Sequence, residues 1–344
     1  MGLLKAFGKN PSGKRLESIQ RSTNYKNGIF ENLSVTEMMV AKISMLAMTW
    51  RFFNKPKNTA PHKPLPSVKT DLKSILIDKP FIVWFGHSSY FIRINKTNII
   101  VDPVLSGHAS PFSFGGNSFP GADIYTVEDL PQIDVLLLTH DHYDHLDHRT
   151  ILKLKNKVKT ICCSLGVGSH LEYWGVDENI LSEFDWWDRK KIANDIELIA
   201  APARHFSGRS LVRNKTLWSS FILKTSGSKI YIGSDSGYDT HFKSIGEKYG
   251  PFDIAILETG QYNTDWPLIH MMPEEAVQAT LDLNAKILLP VHWGKFALAF
   301  HAWDEPIQRV IAKAKELGVA VTTPMIGEPV ILGNSYPDSQ WWNL

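Results

Sequence analysis

Nine residues, Thr139-His140-Asp141-His142-Tyr143-Asp144-His145-Leu146-Asp147, follow directly on the apolar run Asp134 to Leu138. Histidines and aspartates packed this densely repel one another or stay heavily hydrated unless a cation sits among them, and a divalent metal removes that cost. The nonapeptide therefore predicts a metal site at the end of a buried strand. Four further apolar runs lead into the same residue types. Ile196 to Ala203 runs into Arg204-His205, Lys229 to Gly233 into Ser234-Asp235, and Lys286 to Val291 into His292, while Asp253 to Glu258 precedes the loop carrying His270. Loops at one edge of layered α/β sheets converge on the active site, so these ends predict one composite site.

The runs themselves read as strands: Phe81 to Phe85, Tyr90 to Ile94, Asn98 to Val101, Asp134 to Thr139, Val158 to Cys163, Ile196 to Ala201, Leu217 to Lys224, Lys229 to Gly233, Asp253 to Glu258 and Lys286 to Val291. Helical patterns fall at Pro273 to Leu283 and at Pro306 to Leu317, the latter closed by Gly318. Early hairpins followed by alternating strands and helices predict two packed sheets with helices outside, and 344 residues suffice to bury such a core. Residues 1–79 read as a basic arm with a Pro-rich linker, which has four prolines between Asn54 and Pro66, and residues 80–344 as the catalytic body.

Residues 1–70 hold twelve Lys or Arg against three acids, so the rest of the chain carries a net −7 within a total of +2. That total gives no support for a nucleic-acid partner. Met38 to Phe53 has apolar residues at partly helical spacing beside Lys42 and Arg51; it suits either an anionic membrane or packing on the body, and packing is the expected role. The run is too short to span a bilayer, and Met1 to Asn10 lacks a signal-peptide core. The adjacent Cys162 and Cys163 are expected as reduced core residues of a cytoplasmic protein.

Several segments together carry a resemblance: Trp84-Phe85-Gly86-His87, Asp102-Pro103, the His140 motif, Pro202-Ala203-Arg204-His205, Leu217-Trp218-Ser219-Ser220, Gly233 to Tyr238, Gly250-Pro251-Phe252-Asp253, His270 with Pro273-Glu274-Glu275-Ala276, and His292 to Leu298. Between about residues 80 and 320 the chain resembles the metallo-β-lactamase superfamily. Within it, the tract is similar to the N-acyl phosphatidylethanolamine-hydrolysing phospholipase D branch and its bacterial relatives. The resemblance implies an αββα sandwich of two mixed sheets with outer helices. It also implies two zinc ions, one held by His140, His142 and His205, the other by Asp144, His145 and His292, with Asp235 bridging. By residue type alone, manganese and iron suit the same nitrogen and carboxylate donors.

The expected activity is hydrolysis by a hydroxide shared between two metals, with Asp144 orienting it and accepting its proton; the resemblance implies that His270 faces the substrate, hydrogen-bonding the phosphoryl oxygen or assisting the leaving group. The resemblance implies a phosphodiester such as an N-acylated phosphatidylethanolamine as substrate; a lactone or carboxylic ester is the alternative, and a noncatalytic metal scaffold the reading from another class. Neighbouring residues have plainer readings. Asp102 is expected to fix the metal loop by hydrogen bonds, Asp147 and His148 to cap a helix near Arg149, and His87 to be a packed turn residue or to touch the site. His62, His108, His241 and His301, with Trp186-Trp187 and Trp341-Trp342, read as surface or packing residues.

Overall fold

A computed structural model describes residues 3–40, 44–112, 115–193, 195–209 and 212–344; Lys42 lies outside them. In chain order the elements are α1 (Gly13–Ile19), β1 (Tyr25–Lys26), β2 (Ile29–Phe30), α2 (Met45–Phe53), β3 (Phe81–Trp84), β4 (Tyr90–Ile94), β5 (Thr97–Val101), β6 (Ile133–Leu138), α3 (His148–Leu154), β7 (Val158–Ser164), α4 (Gly168–Tyr173), β8 (Leu181–Phe184), β9 (Arg189–Ala193), β10 (Ile196–Ala201), β11 (Ser220–Lys224), β12 (Lys229–Ile232), α5 (His241–Tyr249), β13 (Ile254–Glu258), α6 (Pro273–Asp282), β14 (Ile287–Val291), α7 (Glu305–Leu317), β15 (Ala320–Val321) and β16 (Pro329–Ile331). Apart from the β1–β2 hairpin, the strands form two seven-stranded sheets, ordered β16-β3-β4-β5-β6-β7-β8 and β15-β14-β13-β12-β11-β10-β9.

Each sheet is half antiparallel and half parallel. β16 through β5 run antiparallel and β5 through β8 parallel. In the second sheet, β9 through β12 run antiparallel and β12 through β15 parallel. β3 and β13 are buried along their whole length, which explains why β3 is apolar throughout and β13 is apolar up to its final Glu258. Inward side chains of both sheets, among them Ile92, Val101, Leu198 and Ile222, make one core with residues of α5, α6 and α7. The outer face of the first sheet packs on Ile151, Leu154 and Leu171 of α3 and α4. The layering is therefore helix, sheet, sheet, helix, as the sequence predicts.

Leu217 to Ser219 departs from the strand expectation. There Leu217 N donates to Leu165 O and Ser219 N to Thr139 O, so the backbone bonds are drawn to loops of the other sheet and β11 starts only at Ser220. β8 and β9 were not legible; β9 is a mostly exposed, basic edge whose charges blunt further pairing. Both cysteines are buried in β7 away from the site, and burial pushes the Cys162 thiol up to about 12.

The chain before Pro80 runs along the body. Arg15 pairs with Glu172 and Glu183, and Leu65 N donates to Pro120 O. Asn32 brackets His205, donating to its carbonyl (2.8 Å) and accepting from its N–H (3.0 Å). In α2, Arg51 pairs with Asp265 at 2.5 Å and lies over Phe300, yet Leu46, Trp50 and Phe53, spaced i, i+4, i+7, are 84%, 67% and 85% exposed. Among the described side chains of α2, Arg51 thus contacts the body while Leu46, Trp50 and Phe53 face outward; the side chains of Met45, Met48 and Phe52 lie outside the described residues. No helix among the described residues is long and apolar enough to cross a membrane.

Candidate metal centre

The predicted strand ends do converge. His140, His142 and Asp144–His145 lie beyond β6, His205 beyond β10, Asp235 beyond β12 and His292 beyond β14. Two groups of four ligand-type side chains form there: His140, His142, His205 and Asp235; and His87, Asp144, His145 and His292, with the ligand atoms of each group within 4.8 Å of one another. All seven residues expected as ligands are included.

In the first group three ring nitrogens are drawn together. His142 Nδ1 lies 3.0 Å from His140 Nε2 and 3.1 Å from His205 Nε2, so three ring nitrogens face one point. Zinc–nitrogen bonds of ~2.0–2.1 Å in a tetrahedron set nitrogens ~3.3 Å apart, close to this spacing. His205 Nδ1 donates to Ile269 O at 2.8 Å, which fixes its tautomer and leaves Nε2 as the ligand atom. Burial above all holds His140, His205 and His292 well below the usual imidazole range, in the neutral form that binds metal.

Asp235 connects the groups. Its Oδ2 is 3.8 Å from both His140 Nε2 and His205 Nε2, and its Oδ1 lies 3.1 Å from His145 Nε2 and 3.2 Å from His292 Nδ1. Asp235 Oδ1 and His145 Nε2 are buried without a hydrogen-bond partner. Buried orphans of this kind are costly, and a cation between them satisfies both. The charge balance agrees: among the described residues, every ion-pair partner of Asp144 and Asp235 is a histidine. Burial pulls His145 down, but Asp235, Asp144 and Asp102 more than offset it and raise it well above the usual range, so positive charge is drawn to this spot.

Supporting residues hold the loop. Asp102, in β5's trailing loop at φ 40°, accepts from Thr139 N (2.9 Å), Thr139 Oγ1 (2.5 Å) and His145 Nδ1 (2.8 Å). Asp141 points the other way, accepting from Gly208 N (2.7 Å) and Thr216 Oγ1 (2.9 Å), so alternate residues of the motif anchor it and face the centre. Asp147 caps α3 by accepting from Arg149 N, and the helix starts at His148. His241 is buried 3.3 Å from Ser236 Oγ, whereas His301 accepts from Gln261 N and stacks on Tyr262, outside both groups. Trp341 and Trp342 pack on Trp293.

Two participants were missed or left open. His87 is fully buried at φ 54°, a costly conformation for a non-glycine residue; its Nε2 is 2.9 Å from Asp144 Oδ2, and its ring lies 4.0 Å from that of His292. Glu258 ends β13 and meets His270 Nδ1 at 2.6 Å. Burial pushes its carboxyl up to about 7; burial also lowers His270, but the charge and hydrogen bond of Glu258 with the charges of Asp235 and Asp144 together outweigh it and raise the imidazole to about 9. The signal for both was present, since each sits at the end of an apolar run as the ligands do.

A cavity of about 290 Å³ opens on the centre, lined by His142, Asp144, Asp235, His270 and His292 with Met38, Met39, Trp266, Ile269 and Leu298. A second, of about 760 Å³, is lined by Phe7, Pro111, Phe112 and Tyr143 and shares His142, Asp144, Phe206 and Arg213 with the first.

The model of the Beta-lactamase superfamily domain matches residues 97–293. A protein of Mycobacterium tuberculosis is 36% identical over all of this chain and 93% of its own length. The N-acyl-phosphatidylethanolamine-hydrolyzing phospholipase D 1 of Caenorhabditis elegans is 31% identical over 63% of this chain and 65% of its own. A metallo hydrolase of the archaeon Ignicoccus hospitalis, 21% identical, superposes on 75% of this chain and all of its own with a TM-score of 0.58, a likeness of fold. With the donors converging at one edge of two mixed seven-stranded sheets, these likenesses place the chain in the beta-lactamase superfamily, as one of its metal-dependent hydrolases.

Proposed function

We propose that this chain is a two-metal phosphodiesterase acting on a phospholipid of the N-acyl phosphatidylethanolamine type, cleaving on the head-group side as a phospholipase D does. The observation that carries the reading is the pair of cavities meeting at His142 and Asp144. A phosphodiester has a substituent on each side of phosphorus, and the apolar walls of both cavities suit one that bears long acyl chains. The C. elegans relative, whose name specifies such a lipid, supports the same choice.

His140, His142 and His205 would hold one cation, Asp144, His145 and His292 the other, and Asp235 both, with His87 a further donor beside the second. Nitrogen and carboxylate donors suit zinc, with iron and manganese compatible, and a pair of such ions lowers the pKa of water and polarises a phosphoryl oxygen. Asp144, held by His87, orients the attacking water and takes its proton. His270, on the cavity wall, faces the phosphoryl group and the leaving oxygen. Ile269, Trp266 and Leu298 exclude bulk water around it.

The substrate is met at a lipid surface. Leu46, Trp50 and Phe53 project from α2, Met38 and Met39 line the cavity, and residues 38–70 contain six Lys or Arg and no acid. An apolar ridge set in positive charge fits an anionic bilayer.

The test is hydrolysis by zinc-loaded protein of N-acyl phosphatidylethanolamine, bis(p-nitrophenyl) phosphate and a set of lactones. Cleavage of the two phosphodiesters is expected. Ready opening of lactones with every phosphodiester untouched overturns the substrate class and returns the ester alternative.

A further inference from the structure

The segment Lys5 to Lys9 is held against the body through its backbone. Trp174 Nε1 donates to Lys5 O at 2.7 Å, and Arg209 donates to Ala6 O from Nη2 at 2.8 Å and from Nε at 3.2 Å. Lys9 N in turn donates to His170 Nδ1 at 3.1 Å. The three side chains that make these bonds are nearly inaccessible, His170 at 1% and Trp174 and Arg209 at 4% each. Between them Gly8 takes φ 71°, and a Cβ there would lie 2.1 Å from His170 Nδ1, so only glycine lets the backbone come this close. Arg209 Nη1 also donates to Asp141 O and Leu146 O, at 2.7 and 2.8 Å, so one guanidinium ties the segment to the loop that carries the metal ligands.

None of these bonds uses the side chain of Phe7. Its half-buried ring stands edge-on to Phe112 and Tyr143, with centroids 6.1 and 6.4 Å away and planes at 75° and 84°. The three rings line the cavity of about 760 Å³ that reaches His142 and Asp144. The backbone thus fixes the segment, and the phenyl ring it carries is left to form cavity wall.

We propose that Phe7 is a specificity-determining residue: with Phe112 and Tyr143 it binds one apolar chain of the substrate and so selects long substituents over short ones. The inference rests on the phosphodiester reading for its substrate and adds the part of the chain that sorts substituents by length. Each methylene that leaves water for an apolar wall tightens binding by about fourfold. A contact made away from phosphorus is the same before and during the reaction, so the gain appears in KM and leaves kcat alone. The rival reading is that Phe7 merely packs the segment down, and the backbone bonds that hold the segment without it argue against that.

The experiment compares zinc-loaded wild type, Phe7→Ala and Phe7→Leu on p-nitrophenyl alkyl phosphates whose alkyl group runs from methyl to octyl. In wild type kcat/KM should climb with chain length. The octyl-to-methyl ratio is expected to fall about tenfold in Phe7→Ala, through KM, and Phe7→Leu should recover most of it. Calorimetric binding of octylphosphonate and methylphosphonate reads the same preference without turnover, and it too should fall about tenfold in Phe7→Ala.

A loss of equal size on methyl and octyl substrates, an unchanged ratio, or a ratio that rises overturns the proposal. Failure of the substrate reading looks different: wild type then leaves every phosphodiester intact, and the phosphonate preference still decides the role of Phe7. If Phe7→Ala does not fold, Phe7→Gln, which keeps the reach of the side chain and loses its apolar surface, carries the test with the same outcomes.

Discussion

Two regions of this molecule invert the ordinary partition of side chains, in opposite senses. At the common edge of the sheets, imidazoles and carboxylates are buried: His87, His140, His145, His205, Asp235 and His292 are all nearly inaccessible. Along residues 33–53, apolar groups stand in solvent, with Leu33, Val35, Leu46, Trp50 and Phe53 exposed. Burying polar groups costs free energy that a cation repays, and exposing apolar ones leaves surface for something apolar to cover. An ion accounts for the first inversion, and the proposed lipid surface would cover the second.

The largest effect is expected where the buried inversion is most concentrated. Asp235 faces both groups with its carboxylate oxygens, so Asp235→Asn removes the charge that offsets two cations while preserving shape. Turnover should fall by more than the ~10–100-fold typical of losing a residue behind a ligand. Elemental analysis should show about two metals per chain in wild type and fewer in the variant. His62→Ala and His108→Ala, at positions outside both groups, should match wild type. Near-normal turnover by Asp235→Asn would move the centre elsewhere and dissolve the contrast between the regions.

The two inversions differ in how far the sequence discloses them. Metal chemistry restricts residue type, so His140, His142, His145, His205 and His292 stand out in a way that a packed strand never does. His87 was left open between a turn and the site, and Glu258 was missed, because each is a single polar residue after an apolar run, and one such residue is as readily a turn or a surface group. Their meaning comes from partners distant in sequence, Asp144 and His270. The layered fold was legible because strands such as β3 and β14 are continuous apolar runs bounded by turns. Leu217 to Ser219 was misread because an apolar tripeptide looks the same in a ladder and in a buried crossing between sheets. For α2 the periodicity showed a stripe, and nothing in periodicity says which way a stripe faces.

A smaller effect, still within the buried edge, separates ligands from what holds them. Asp102 reaches the centre only through His145 and Thr139. Asp102→Asn keeps the volume and loses the anionic acceptor that fixes His145 with Nε2 toward the metal, so metal affinity should drop by ~10–100-fold. Excess zinc should restore most of the turnover if Asp102 only orients. A variant that binds metal normally yet stays inactive would give Asp102 a part in the reaction and enlarge the set of residues that touch it.

The mildest perturbation addresses the exposed inversion, and its value lies in what it leaves unchanged. Trp50→Ala and Phe53→Ala remove apolar surface from α2 without touching Arg51, whose pairing with Asp265 ties the helix to the body. Burying an aromatic side chain is worth about 1.5–3 kcal/mol, so each substitution should weaken binding to anionic vesicles by roughly 10- to 100-fold. The cations between residues 38 and 70 add a component that salt screens, so raising ionic strength should weaken wild-type binding further. Hydrolysis of a water-soluble diester should not change, because neither residue lines the cavities. If both variants instead lower the melting temperature and the soluble-substrate rate together, the stripe is packing surface and the segment belongs to the fold. A wild-type protein that forms a dimer through this face and ignores vesicles would replace the lipid with a second copy of the chain. Vesicle cosedimentation beside a sedimentation-equilibrium run separates the three outcomes, since a lipid surface alone predicts binding that depends on anionic headgroups and on Trp50 and Phe53 together.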